Sequence, residues 1–518
     1  MRGALLMRPF VRCGFVLSAA GLALGASGAR AQTAAPPEGA SGRTFSVVPS
    51  LSITETLTDN SRLVSVGRQS ELITQIAPSL RISSSGGRVK GFLNYSLNGL
   101  AYARHTRVSD FQNSLNALVN VEAIENWAFV DATANISQQL VSAFGTQAAD
   151  PSLVNGNRTE VRSYSLAPYI RGRLADLASY EARLAHTAVR SSSNAASDNS
   201  ADEARLRLAG DSPLRMLSWS ADATRQVIDY SAGRRTEDDR LRAELHFDVD
   251  AQLRVSLIDG RESNNYISAS KESRRTPGWG IDWRPTERTR ISAQREQRFF
   301  GNSHTYVFEH RMPRSVWKYR DTRDIATGFG QPTAGSLGTA YDLFFTQFAS
   351  QQPDPVLRAK LVDNFLQANG IAPTAQLFTG SLASAVTLQR RQEISFALLG
   401  IRDTVTFAAS QSEARRLDTV VAAVDDFSNG NAVLQRGFSL RLAHRITPLS
   451  ALNFVASVDR ISGASATQST TLRSINLGWT GRLGASSSMS MNVRRSVFES
   501  LSNPYKETAL MAALGHQF

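Results

Sequence analysis

The sequence predicts an all-β fold, a transmembrane antiparallel barrel of about 22 strands (about 20 to 24) with a short helical insertion between strands. Three observations predict it. From Phe45 onward, apolar and polar residues alternate with period two through segment after segment. The spacers between these segments are alternately tight and loose, and the chain ends on an alternating segment whose last residue is Phe518. Period two sends successive side chains to opposite faces of a strand, so one face of each segment suits lipid and the other water. A soluble β-sandwich alternates too. Segments of about 9 to 14 residues, against a usual strand of about 5 to 6, fit a tilted bilayer crossing better. Short turns on one side and longer loops on the other are the pattern of outer-membrane barrels.

Before the first strand the chain carries a targeting signal. Arg2, Arg8 and Arg12 precede an apolar run from Gly14 to Leu24, and Ala29-Arg30-Ala31 forms a small-x-small cleavage site. This is a secretory signal peptide over residues 1–31, with cleavage expected after Ala31. The expected location is the cell outer membrane. The chain has 518 residues, 42% of them hydrophobic, with 57 Lys+Arg against 45 Asp+Glu for a formal charge of +12. That composition excludes a disordered tail and a small disulfide-stapled domain. The four arginines of the signal segment are unaccompanied by acids, so the exported chain is only mildly basic. Export makes nucleic acid an unexpected partner. The single cysteine, Cys13, lies within the signal, which leaves no thiol for disulfides, thiolate metal sites or cysteine catalysis. Residues 32–44 form a short periplasmic segment. So short a stretch is expected to hold neither a periplasmic domain nor the N-terminal plug of transporters of about 22 strands, which disfavours energy-coupled uptake.

The barrel is expected over 45–325 and 385–518. Its clearest strand sets Leu241, Ala243, Leu245, Phe247 and Val249 against Arg242, Glu244, His246 and Asp248. Tyr180, Ala182 and Leu184 oppose Glu181 and Arg183, and Ala204, Leu206 and Leu208 oppose Glu203, Arg205 and Arg207. Tight turns are predicted near residues 84–87, 125–126, 174–176, 210–213, 248–250, 284–286, 312–314, 400–403, 446–450 and 484–487. Looser stretches such as 144–158, 191–202 and 415–430 form the opposite rim. Of the six tryptophans, Trp127, Trp219, Trp283, Trp317 and Trp479 sit beside proposed tight turns, where a membrane interface gathers aromatic rings. In the last strand Leu510, Ala512, Leu514, His516 and Phe518 share a face. Leu510, Ala512, Leu514 and Phe518 resemble the terminal signal through which barrel-assembly machinery recognises its clients, with His516 where an aromatic often stands.

Between residues 326 and 384 the alternation stops. Tyr341 to Ser350 is apolar at helical spacing, and Asp354-Pro355 offers an N-cap and a first-turn proline before Leu357, Leu361, Val362, Phe365 and Leu366, with Gly370 as the stop. Strand parity brings this insertion out on the outer side. From there it either forms an ordinary surface loop, caps the mouth or constricts the lumen.

Motifs of catalysis are sparse. Gly210-Asp211-Ser212-Pro213-Leu214 superficially resembles an esterase nucleophile block, but it fills a tight turn. His304 and His310 share a face at period two while Glu309 points the other way, poor geometry for a metal ion. No P-loop, H-E-x-x-H or G-x-S-x-G is found, and neither a metal nor a cofactor is expected. The remaining chemistry is charge inside the tube. With apolar faces toward lipid, Arg183, Arg205, Arg207, Arg242, Arg254, Arg441 and Arg494 line the lumen. Guanidinium groups stay protonated and fork onto carboxylates, so an open tube lined this way favours anions such as uronate or sulfated sugars. The alternative is that the arginines pair with lumenal acids and support the wall.

Val48-Pro49-Ser50-Leu51-Ser52-Ile53, leading to Leu57-Thr58-Asp59-Asn60, resembles the opening of the outer-membrane β-barrels associated with PEP-CTERM/exosortase and exopolysaccharide loci. Residues 122–127, 157–162, Pro168-Tyr169 and Pro353-Asp354-Pro355 add to the resemblance, which spans nearly the whole exported chain. It implies a location and a pathway and brings no catalytic residues. The function expected is non-catalytic: a conduit or assembly component for exopolysaccharide export. Its partners would be outer-membrane lipid, the assembly machinery, an anionic polysaccharide and periplasmic export proteins. A general or solute-specific porin is the alternative, and an outer-membrane lipid- or polysaccharide-modifying enzyme, with Ser212, His304 or Glu309 as its candidates, a second.

Overall fold

The computed structural model describes residues 45–518, apart from 108, 193–197, 232, 418–425, 428–431, 466–467 and, between 328 and 385, all but 341, 344, 345, 348, 352 and 354–368. The signal segment, residues 32–44 and Gly370 lie outside the described residues. The first strand, β1 (Phe45–Thr58), pairs on one side with β2 (Glu71–Ser84) and on the other with β23 (Tyr505–Gln517). The second pairing sets Leu51 opposite His516 and Thr58 opposite Ala509, so the sheet closes on itself. One wall position is split: β11 (Leu253–Asn264) pairs with both β12 (Glu272–Arg275) and β13 (Gly278–Thr286). The break falls at Pro277, which has no N–H to give the ladder. With that split strand taken once, the described residues form a closed antiparallel barrel of 22 strands, as the sequence predicts.

Closure satisfies every ladder within the wall, the condition for crossing hydrocarbon with strands. The outward side chains are apolar and uncovered. Leu184, Leu241, Leu257, Ile475 and Leu510 are each 50–64% exposed, which in water would be an extreme surface but in a bilayer is the lipid contact. The chain is an outer-membrane β-barrel. All ten predicted tight turns fall between paired strands, on the rim that also holds both ends of the described chain. Three of them hold a backbone that L-residues seldom adopt, with φ of 56° at Asn126, 49° at Ala175 and 65° at Gly87, and of these Asn and Gly adopt it at least cost. Many strands run to 13–15 residues. At a tilt near 40°, 14 residues rise roughly 35 Å, beyond an apolar band of roughly 25 Å. The excess is charged on the outside too, where Asp202 meets His186 at 2.7 Å and Arg275 meets Asp259 at 2.7 Å.

The described part of the insertion lies inside the tube. Its described helix, α1 (Pro355–Ala368), begins as expected, with the Leu357 N–H donating to Asp354 Oδ1 at 3.1 Å. Ala359 and Val362 of the helix pack with Tyr341, Phe344 and Phe348 against Phe92 of β3 (Val89–Tyr102) and Ala408 of β18 (Asp403–Arg416). Phe365 packs at a tilt against Phe344 and edge-on against Phe348, with ring centroids 4.6 and 5.2 Å away. Phe92 and Ala408 face the lumen only three and five positions past the periplasmic starts of their strands. The described residues of the insertion therefore lie in the periplasmic half of the interior.

A second intruder is the loop between β5 (Ala128–Leu140) and β6 (Arg158–Leu174). Its Ala148 and Leu153 pack with Leu100, Tyr102, Leu472, Phe498 and Tyr505 on the inward faces of distant strands. Tyr505 donates to Gln147 O at 2.6 Å and Tyr102 to Ser152 O at 2.9 Å. Asp426, from the loop after β18, accepts from Ser142 Oγ at 2.7 Å and from the Ala143 N–H at 2.6 Å. Two outer loops thus meet over the lumen.

Candidate functional site

Strand parity places each of the seven arginines read as lumenal on the inward face, and the structure shows what each meets. Arg183 donates to Asp131 at 2.7 Å and to Glu181 at 3.4 Å. Arg205 forks onto Asp222 Oδ2 at 2.6 and 2.8 Å. Arg242 contacts Glu244 and bonds Glu296 at 2.8 Å, and Arg254 bonds Asp248 at 2.5 and 2.9 Å. Arg494 donates to Glu507 at 2.8 Å and pairs with Asp150 of the folded-in loop. Arg207 and Arg441 form no ion pair among the described residues. They differ in setting: Arg207 is exposed, whereas Arg441 is 7% exposed and its Nε has no hydrogen-bond partner.

The Arg494 cluster fastens the loop to the wall. Glu507, fully buried, also accepts from Ser496 Oγ at 2.7 Å and Thr58 Oγ1 at 3.1 Å. Burial works against the charge of Asp150, but the Arg494 guanidinium and Ser152 hold its carboxyl below the usual carboxylate range.

Nearer the periplasmic rim, rings and guanidinium groups stack on the inner wall. Arg171 lies 4.3 Å over Phe129, Phe129 stacks on Tyr169 at 5.1 Å, and Arg183 lies 4.1 Å over Tyr169. Asn120 joins this stack to Asp131 at 2.6 Å and to Tyr169 Oη at 3.1 Å. Higher in the lumen a polar cavity of about 390 Å3 is bounded by Arg205, Arg240 and Arg242 and by carboxylates including Asp222, Asp238 and Glu296. Arg240 and Arg242 both pair with Glu296. Beside it Arg298, 5% exposed, forks onto Glu262 at 2.5 and 2.9 Å and pairs with Asp324.

Sequence reasoning placed Glu181, Glu244 and Asp248 on the inward face, where they answer Arg183, Arg242 and Arg254, but missed Asp131, Asp222, Glu296 and Asp150. Parity alone could have found Asp131 and Asp222, since each faces away from apolar neighbours on its own strand. Nothing periodic marks Asp150. The other named residues are easily placed. Trp219, Trp283, Trp317 and Trp479 face outward near tight turns, Trp317 against Phe396 at 4.3 Å, and Trp127 bonds Tyr180 Oη at 2.9 Å. Leu510, Leu514 and Phe518 are at least half exposed on the outer face, which Ala512 shares by parity. Ser212 sits in a turn, its N–H bonded to Leu217 O at 3.0 Å. His304 and His310 bond Asp321 and Thr289 on the outer face, at 3.1 and 2.8 Å, and Glu309 points inward. These candidates for catalysis assemble no common site. No group of residues able to hold a metal ion occurs among the described residues.

No family model matches the chain, and no curated protein matches it. Among solved structures it is similar to the apoprotein form of the FrpB iron transporter of Neisseria meningitidis, at 10% identity and a TM-score of 0.49, over 91% of this chain and 81% of that one. The siderophore receptor PirA of Pseudomonas aeruginosa is 10% identical with a TM-score of 0.43, over 91% and 80%. The ferric enterobactin receptor of the same organism is also 10% identical, at 0.45 over 91% and 80%.

Proposed function

We propose that this barrel is a non-catalytic outer-membrane conduit for a hydrophilic polymer of the exopolysaccharide class, obstructed at rest by its own insertion. The observation that carries the proposal is the interior. Its inward strand faces carry paired guanidinium and carboxylate groups, and the described residues that pack against Phe92 and Ala408 inside it belong to a loop of the barrel. Its polar stretches wet the lumen and offer hydrogen-bond partners to hydroxyl-rich cargo. A plug carried on a loop can withdraw without dissociating. The resemblance of residues 48–60 to barrels of exopolysaccharide loci supports the same cargo. Pairing offsets much of the arginine charge, so the selectivity for anions that unpaired arginines would impose is reduced.

Deleting the gene in the source bacterium and measuring surface polysaccharide against polymer retained in the periplasm tests the proposal. Retained polymer is the expected result, and unchanged export would defeat it. A solute-specific porin is the second reading, favoured by the two outer loops that meet over the mouth. Blockade of conductance by small sugars, with indifference to polymer, would favour it.

A further inference from the structure

We propose that the polar cavity in the upper lumen is a saccharide subsite, built for an uncharged or amine-bearing sugar unit rather than a uronate. The assignment deepens the conduit reading and rests on it for the supply of sugar to the lumen. About 390 Å3 lies near the lower end of small-molecule pockets, roughly 300 to 1,000 Å3. The walls are built rather than incidental. Glu296, 5% exposed, holds Arg240 through one oxygen and Arg242 through the other, and Gln294 donates to it at 2.8 Å. Around this fixed centre, Asp238 Oδ1, Arg240 Nε and Arg242 Nη2 are buried atoms with no hydrogen-bond partner among the described residues. Each is left with the cost of an unmet polar group, roughly 1–3 kcal/mol.

The donors and acceptors decide what meets them. Guanidinium groups only donate and carboxylates only accept, whereas a hydroxyl does both. A ring carrying adjacent hydroxyls satisfies an alternating wall of this kind from one rigid scaffold. Charge selects among sugars. Five carboxylates border the cavity against three guanidinium groups, and with Arg298 answering Asp324 from beside it an excess of negative charge remains, so a carboxylate on the ligand meets net repulsion while an ammonium or an uncharged ring does not. The cavity lies where strand β10 (Thr236–Asp248) faces the lumen, with Asp238 two positions from Thr236 and the buried cluster of Tyr230, Tyr266 and Val386 beyond it toward the outer rim. A sugar there would be held just inside the covered mouth.

Calorimetric titration of the purified full-length barrel in detergent tests the assignment, with chitotetraose, the tetramer of glucosamine and tetragalacturonate as probes. The first two should bind saturably, and Asp238→Asn and Arg242→Gln should each weaken them roughly tenfold. Tetragalacturonate should bind least. Resistance of the barrel to unfolding in cold SDS shows that each variant is folded, and Asp238→Asn, nearly isosteric, carries the test if Arg242→Gln does not fold. Absence of saturable binding, binding indifferent to both substitutions, or preference for tetragalacturonate would overturn the subsite. Its failure is distinct from failure of the conduit, which is read in export by the deletion strain.

Discussion

At the scale of the residue, the molecule is organised by charges that find partners across large sequence distances. Arg494 is the most constrained of them, 4% exposed in its side chain between Glu507, which is fully buried, and Asp150. Taking away the cation strands Glu507 in a place water does not reach. Arg494→Met should therefore cost about 3–5 kcal/mol, read as a fall in the denaturant midpoint in detergent, and an unchanged midpoint would show that the cluster bears no load. The pH dependence has a definite sign. The carboxyl of Asp150 is held below its ordinary value, so its contribution to fastening the loop is full above the unfolded value of about 4 and lost as pH falls through the folded one. Conductance should be flat between about pH 5 and 8 and rise only below about pH 4 as the loop comes free. A transition near neutrality would contradict this fastening. Such pairings explain why the charge chemistry was only half legible in sequence. Parity put Arg242 and Arg494 on the inward face correctly, because parity is local. Glu244 and Glu507 are local partners, but Glu296 and Asp150 lie 54 and 344 residues away, and only the folded sheet and its inward loop bring them near.

At the scale of the element, the helix of the insertion obeys local rules and its placement does not. Asp354 caps it and Pro355 opens it, as the sequence predicts, and Asp354→Ala should cost about 1 kcal/mol of local stability. Where the helix goes is decided by Phe344, Phe348 and Val362, which need an apolar seat, and by Phe92 and Ala408, which provide one on the inner wall. Phe92 resembled any other apolar residue in an alternating strand, yet it faces inward, where lipid does not explain it. Replacing Phe344, 1% exposed, by alanine should remove about 3–5 kcal/mol of packing and loosen the plug. In single-channel records the variant should flicker to higher conductance, and records identical to the parent chain would place the seat elsewhere.

At the scale of the whole molecule, closure of the wall was the most legible feature. Alternation, turn spacing and chain ends are repeated through the sequence, so an error in one strand does not spoil the barrel. The split at Pro277 was not foreseen, because the strand order closes around it through β11. Ion selectivity belongs to this scale. With Arg183, Arg205, Arg242 and Arg254 answered by carboxylates, the parent barrel should discriminate weakly between anions and cations. Reversal of Arg205, Arg207 and Arg242 to glutamate together should shift the reversal potential toward cation selectivity. No shift would mean that ions pass elsewhere.

The central claim is that a polar tube is blocked by a piece of its own chain. Its most direct test is the conductance of single barrels in a planar bilayer, with and without residues 328–385. The intact barrel should conduct little, and the shortened one should conduct steadily at roughly tenfold or more the level of the parent, as expected of a wide tube cleared of its filling. Equal conductance in the two, in barrels shown to be folded, would contradict the account.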